Sequence, residues 1–353
     1  MIQKINVGLI GLGRIGKVHT QNLTREFPDV LLKAIAEIKI DETIKEFIGT
    51  LGMVRQDLTQ DPQEIFDDPK INAVIITSST DTHSRFIQEA VKNNKHVFCE
   101  KPLDVDIPRI VDTLKVVKQS GMKLMIGFNR RFDPNFRKLH ELVGKGQIGT
   151  PHLIKITSRD PTPPPIEYIK VSGGLFMDMT IHDWDMARFQ ANSEIEEVYA
   201  KGGVLIDPEI GKAGDIDTAV AVLKFVNGAM GIIDNSRQAI YGYDQRLEVF
   251  GSNGCLMAEN EANTTLRTFT KEGIRSDAIP YFFLERYTRS YVNELRYFFN
   301  CIKKNEDPKP NGMDGLVAIL IARAAQRSYE ENRPVKISEI ASEYYIDNFS
   351  NFS

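Results

Sequence analysis

Two short stretches carry side chains poorly suited to packing and well suited to chemistry. The first is Glu100-Lys101-Pro102, which follows the apolar run at residues 96–99. A lysine fixed by a following proline at a strand end can donate to a reacting oxygen and stabilise developing alkoxide charge. The second spans residues 173–185, where Asp178 and His182 stand four apart, so that on one helix they share a face. A carboxylate beside an imidazole orients it and favours its protonated form, which suits proton exchange with an alcohol. In that chemistry the hydroxyl proton goes to a base, His182, while hydride leaves the carbon for a nicotinamide. Two other readings of residues 173–185 stay open. One is an Asp/His metal site with Asp183 and Asp185 as further oxygen ligands; the other is a structural helix carrying a capped histidine.

The hydride acceptor has its own signature. Residues 11–16 read Gly-Leu-Gly-Arg-Ile-Gly, between an apolar run at 5–10 and a helical pattern. In that context Gly11 permits a tight turn, Gly13 lets backbone approach a pyrophosphate, and Gly16 lets helix pack on strand. The helix N-terminus that follows favours an anion. Glu37 ends the next apolar run, 21 positions beyond Gly16, where a carboxylate can accept from the adenosine ribose and repel a 2′-phosphate. NAD is therefore expected over NADP, with Lys39 as a possible moderator. Thr77-Ser78-Ser79-Thr80 closes another strong strand pattern at the ligand edge of such a sheet; these hydroxyls suit the cofactor or the cap of the next helix. The expected cofactor set is Gly11, Gly13, Arg14, Ile15, Gly16, Glu37, Ser78, Ser79, Thr80, His83, Glu100 and Lys101.

These residues need a scaffold, and its pattern is legible. Apolar runs at 5–10, 31–36, 73–77, 96–99 and 123–127 alternate with amphipathic segments such as 82–93 and 107–119, which predicts a doubly wound parallel sheet. Beyond a helix at 136–145 the pattern changes to strands at 151–159, 195–202, 218–226, 229–236 and 246–251, followed by helices at 285–304 and 314–331. That predicts an α+β domain on a mostly antiparallel sheet. Val226-Asn227-Gly228 reads as a hairpin turn in which both Asn227 and Gly228 accept positive φ. Residues 218–226 are apolar at nearly every position, so both faces of that strand should be covered, one by a helix and the other by a partner subunit or a further layer of the same chain. Domains are expected at 1–126 and 127–340, with a tail at 341–353 whose last residues, 348–353, fray.

Composition narrows the function class. In 353 residues, 42% hydrophobic and 26% charged content with a net charge of −4 leave no basic surface for nucleic acid. No apolar stretch is long enough to span a bilayer, and the glycine-broken N-terminus does not read as a secretory signal. Three widely spaced cysteines, Cys99, Cys255 and Cys301, suit free thiols in a cytoplasmic protein. Cys99 reads as an inert buried thiol and Trp184 as a core residue.

GLGRIG at 11–16, CEKP at 99–102 and DMTIHD at 178–183 resemble the Gfo/Idh/MocA oxidoreductases over essentially the whole chain, and among them the inositol 2-dehydrogenases. The resemblance implies an N-terminal Rossmann domain and a C-terminal α+β domain whose large open sheet builds a homotetramer. It implies Lys101, Asp178 and His182 as the catalytic trio, with no metal. Further matches at 127–131, 158–161 and 241–244 imply that Asn129, Arg130, Asp160 and Tyr241 line a polyol pocket, with Tyr243 as a neighbour. Arg130 can alternatively be a structural ion-pair partner, Asp160 a turn former and Tyr241 a core residue. The activity implied is oxidation of a cyclic polyol such as myo-inositol, or of another inositol or a pyranose. A cofactor-sensing regulator is the alternative from a different class.

Overall fold

The computed structural model describes residues 4–53 and 57–346. The expected fraying at 348–353 lies outside them. Contacts divide the chain into two units, Met1–Asn129 with Tyr291–Val317, and Arg130–Ser290 with Ala318–Asp347.

In unit 1, six parallel strands run in the order β3-β2-β1-β4-β5-β6: β1 (Ile5–Ile10), β2 (Val30–Ala36), β3 (Leu58–Thr59), β4 (Ala73–Ile76), β5 (His96–Glu100) and β6 (Leu124–Gly127). Their connections are α1 (Arg14–Arg25), α2 (Glu42–Thr50), α3 (Gln63–Asp67), α4 (Thr80–Lys92) and α5 (Ile107–Ser120). Every residue of β4 is buried, which is why its sequence is a continuous apolar run rather than an alternation. The strand order reverses between β2-β1 and β4-β5, and Gly11 and Thr77 follow β1 and β4 at that reversal, where doubly wound sheets hold ligands.

Unit 2 opens with a 3-10 turn around Arg130 and Arg131 and α6 (Pro134–Gly144), then β7 (Pro151–Arg159), α7 (Ile166–Ser172), α8 (Leu175–Asp178) and α9 (Ile181–Ala191). There follow β8 (Ile195–Gly203), α10 (Pro208–Lys212), β9 (Thr218–Phe225), β10 (Met230–Ser236), β11 (Asp244–Gly251) and β12 (Gly254–Ala258). A small hairpin, β13 (Arg267–Thr270) with β14 (Gly273–Ser276), leads to α11 (Phe283–Arg286). The seven-stranded sheet has the order β12-β11-β7-β10-β9-β8-β15, where β15 is Val335–Lys336, followed by α14 (Ile337–Glu343). All its pairs are antiparallel except β7 with β10.

Four expectations need correction. Tyr291–Val317 belongs to unit 1, not to the second domain, because Phe298 and Phe299 of α12 (Thr288–Lys304) pack edge-on against Phe98 and Phe27. The start of the supposed tail is ordered, since Ile340, Ala341 and Ile346 are buried. The β9–β10 hairpin exists, but among its turn residues only Gly228 has positive φ (+90°). Gly228 N–H closes the turn onto Phe225 O, and Asn227 uses its side chain to accept from Ala229 N–H. Finally, β9 alternates buried and exposed, so the chain covers one of its faces. Val220, Val222, Met230, Phe250 and Met257 lie 47–60% exposed on β9 to β12.

The tightest point of unit 1 is the β1–α1 turn. A Cβ on Gly16 would lie 2.0 Å from Gly11 O and 2.9 Å from Thr77 Oγ1. Gly16→Ala should therefore destabilise the protein by about 1–3 kcal/mol through overpacking, read as a lowered urea midpoint; an unchanged midpoint would contradict this packing.

Candidate active site

The turn after β1 is built to receive an extended anion. Gly11 takes φ +97°, and a Cβ there would strike the Ser78 backbone at 2.7 Å. Gly13 is different: a Cβ on it meets nothing within 4 Å, so space lies open against the backbone at the mouth of α1. Gly13 caps α1 without a side-chain bond, and no acidic residue stands in the first turn, so the helix presents its free N–H groups and positive end. Glu37 is tied to the same turn. Its carboxylate accepts from Leu12 N–H at 2.5 Å and Lys39 N–H at 3.2 Å, which fixes an acceptor beside the glycine loop. An open backbone cradle, a helix N-terminus and a fixed carboxylate fit the pyrophosphate and adenosine ribose of a dinucleotide. Among the hydroxyls at 77–80, Thr77 donates to Gly11 O at 2.6 Å and holds the turn, Ser78 pairs with Thr82 at 2.6 Å, and Ser79 is the α4 cap residue but makes no side-chain cap bond.

Lys101 is half-buried where β5 ends, and the Lys101–Pro102 peptide is cis. The segment is braced from below. His83, buried on α4, has Nδ1 2.8 Å from Pro102 O and Nε2 3.1 Å from Ser78 O, linking the ends of β4 and β5. Burial pushes its pKa down. Asp104, with no exposed side chain, accepts from Val105 and Asp106 N–H at 2.7 and 3.0 Å and pairs with Arg109. Cys99 is fully buried, and burial raises its thiol pKa well above the usual value, so it is inert. Asn129, 3% exposed after β6, has an Nδ2 with no hydrogen-bond partner among the described residues.

Unit 2 concentrates charge where water is scarce. Arg130, 4% exposed, donates to Asp183 Oδ1 at 2.5 Å and Ser158 Oγ at 3.3 Å, and its other amino group reaches Tyr243 Oη at 3.3 Å. Asn235 on β10 completes Asp183 with a bond to Oδ2 at 2.9 Å. Arg130 is thus the ion-pair partner that one reading of the sequence allowed. Asp178 closes α8, where it accepts from Tyr168 Oη at 2.9 Å and faces Arg237 at 3.6 Å. Arg237 also pairs with Asp215 at 3.1 Å. Asp160 is pushed up to about 6, first by loss of water and then by Asp178, against the opposing pull of Arg237 and Arg130. Asp160 therefore exchanges a proton near neutral pH.

Asp178 and His182 do not share one helix. Thr180 interrupts it, donating to Asn235 Oδ1 at 2.8 Å and accepting Trp184 N–H at 2.9 Å, so Asp178 ends α8 and His182 lies in the first turn of α9. Asp183 and Asp185 are not spare oxygen ligands: Arg130 holds the first, and Arg131 holds the second in a fork at 2.6 and 2.8 Å. Tyr241 is 55% exposed, and its hydroxyl donates to Asp244 at 2.6 Å and accepts from Arg159 at 3.2 Å. It lines a shallow polar cavity with Asp244, Arg246, Asn260 and Asp277. Tyr243 is instead buried beside Arg130 and edge-on to Tyr287 at 5.8 Å. Sequence reading missed Arg237, Asp215 and Asn235. A polar Asn235-Ser236-Arg237 closing an apolar strand was the available signal.

Glu37 generates a prediction. A 2′-phosphate beside its carboxylate costs about 1–4 kcal/mol at contact distance near a surface. Glu37→Ser should shift the NAD/NADP ratio of kcat/KM toward NADP by tenfold or more in steady-state assays. An unchanged ratio would remove Glu37 from the ribose site.

Known proteins resemble this chain over both domains. Residues 5–128 match a family model described as an oxidoreductase family with an NAD-binding Rossmann fold, and residues 136–257 match a GFO/IDH/MocA C-terminal domain. A myo-inositol 2-dehydrogenase of Thermotoga maritima is 50% identical over 95% of this chain and 99% of its own. An inositol 2-dehydrogenase of Rhizobium meliloti is 43% identical over 95% of this chain and 99% of its own. The structure of scyllo-inositol dehydrogenase from Lactobacillus casei, solved with NAD(H) and scyllo-inositol, superposes with a TM-score of 0.88 at 32% identity, covering 95% of this chain and 99% of that one. With both its domains matched and these relatives spanning nearly its full length, the chain belongs to the GFO/IDH/MocA family and is an NAD-dependent oxidoreductase.

Proposed function

We propose that this chain oxidises a ring hydroxyl of a cyclic polyol, with myo-inositol going to 2-keto-myo-inositol (scyllo-inosose). The observation that carries the reading is the charged cluster of unit 2. Asp160, Asp178 and Asp183 alternate there with Arg130 and Arg237, a density of donors and acceptors that suits a ligand with a hydroxyl on every carbon. The names of the relatives point to the same substrate class.

Bound NAD supplies the acceptor for the hydride leaving the ring carbon. The Lys101 ammonium donates to the reacting oxygen and stabilises its negative charge. The His182 imidazole takes the hydroxyl proton, and Asp178, fixed by Tyr168, favours the imidazolium that results. Asn129, Arg130, Asp160 and Tyr241 are the proposed polyol contacts; Asn129 brings a free amide donor, and Asp160 a carboxyl that titrates near neutrality. The cytoplasm is the proposed compartment, consistent with three free cysteines. The half-exposed apolar face of β9 to β12 is proposed to be covered by a second copy in a homo-oligomer, a tetramer by the family likeness.

Two measurements test this reading. Reduced NAD should form with myo-inositol in a panel of inositols and hexoses. His182→Ala should lower kcat by about 10²–10⁴-fold with NAD affinity unchanged, and Lys101→Ala should cost at least as much. Full activity in either variant removes that residue's role, and NAD binding without turnover of any polyol would favour a cofactor sensor. Light scattering should give a multiple of the chain mass at micromolar concentration; a monomer would overturn the oligomer.

A further inference from the structure

Three titratable side chains outside the proposed catalytic trio, one of them the expected cofactor residue Glu100, meet inside unit 1. His19 lies on α1, Glu100 ends β5 and Glu294 lies on α12. His19 Nε2 is 2.8 Å from Glu100 Oε1 and 3.9 Å from Glu294 Oε1, and the side chains of His19 and Glu294 are 0% exposed. His19 Nδ1 and both oxygens of Glu294 have no hydrogen-bond partner among the described residues. Phe98 and Tyr291 stand edge-on to the imidazole, with ring centres 5.3 and 5.8 Å away. On its far side the Glu100 carboxylate lies against Gly127, where a Cβ would come within 2.9 Å of Oε2.

These contacts make Glu100 the polar anchor of the imidazole: of the two ring nitrogens of His19, only Nε2 has a hydrogen-bond partner among the described residues, and that partner is Glu100. An ionised Glu294 would be a buried charge with no donor, and the titratable groups facing it are His19 from α1 and Glu100 from β5. Burial first, and Glu100 second, push its pKa well above the carboxylic range. Glu294 thus favours its neutral form.

We propose that His19 and Glu294 are positioning residues for the reaction: His19 holds the Glu100 carboxylate in one place, Glu294 backs the imidazole, and through Glu100 they fix the strand end that carries Lys101. The proposal rests on Lys101 as the catalytic cation. With the Glu100 anchor lost, the lysine is not held in place, so both turnover and its pH dependence change.

The test uses the full-length enzyme with NAD and myo-inositol. His19→Phe should lower kcat at least tenfold and move the alkaline limb of the kcat profile, with the Kd for NAD within threefold of wild type. His19→Gln, whose amide offers a donor near the place of Nε2, should recover most of that loss. Unchanged kcat and pH profile in folded His19→Phe, or no rescue by Gln, overturns the proposal. Protons are read separately from activity. Carbon NMR of carboxyl-labelled glutamate should show one protonated side chain at neutral pH that vanishes in Glu294→Gln. No protonated glutamate, or a stoichiometric metal ion lost in Glu294→Gln, overturns it too, since these three groups are close enough to ligate a cation. If the wild type turns over no polyol, the substrate reading fails while the NMR still decides the proton placement.

Discussion

The structure depends on keeping full charges where water cannot solvate them. In unit 2 the clearest instance is Arg130 with Asp183, both nearly without exposed surface. Such a pair is not a source of net stability, because desolvation offsets most of the attraction. Its effect is on geometry: once formed, losing one partner strands the other at a cost of about 3–5 kcal/mol. The pair joins the turn before α6 to the first turn of α9. Ser158 of β7 and Asn235 of β10 then satisfy the remaining hydrogen-bonding positions. His182, next to Asp183 in sequence, inherits its position from that pair.

Unit 1 meets a different constraint, the close approach of backbone to backbone. The turn between β1 and α1 tolerates no side chain at Gly11 or Gly16, because Ser78 and Gly11 O already occupy the space. Gly13, by contrast, meets nothing, and that asymmetry separates a packing glycine from one that leaves room for a ligand. Glu37 is held by two backbone N–H groups, so its carboxylate is oriented before any ribose arrives. Pre-orientation of a carboxylate removes an entropy cost from whatever it binds.

Much of this was legible because the signals were local. The parallel strands are continuous apolar runs, and the observed ends of β1 and β7 coincide with the pattern in the residues. What failed to show depended on tertiary partners. Met179-Thr180 has no helix breaker, and the interruption between α8 and α9 comes from the Thr180 hydroxyl reaching Asn235, far away in sequence. Residues 291–317 were assigned to the wrong unit because amphipathic periodicity identifies a buried face without identifying what buries it. Tyr241 and Tyr243 show the same limit: both precede β11 in an irregular turn, and residue type alone did not decide which one stands beside Arg130. Arg237 was missed because a single arginine at a strand end carries no periodic signal.

The relatives include proteins named for myo-inositol and for scyllo-inositol, so the fold is found with more than one ring stereochemistry. Ring chemistry itself is the central claim, and label transfer tests it most directly. With myo-inositol carrying deuterium on the C2 carbon, the reduced NAD isolated after turnover should hold one deuterium per ketone formed, and kcat/KM should fall relative to the unlabelled substrate. Reduced NAD without deuterium, formed at an unchanged rate, would contradict direct hydride transfer from that carbon.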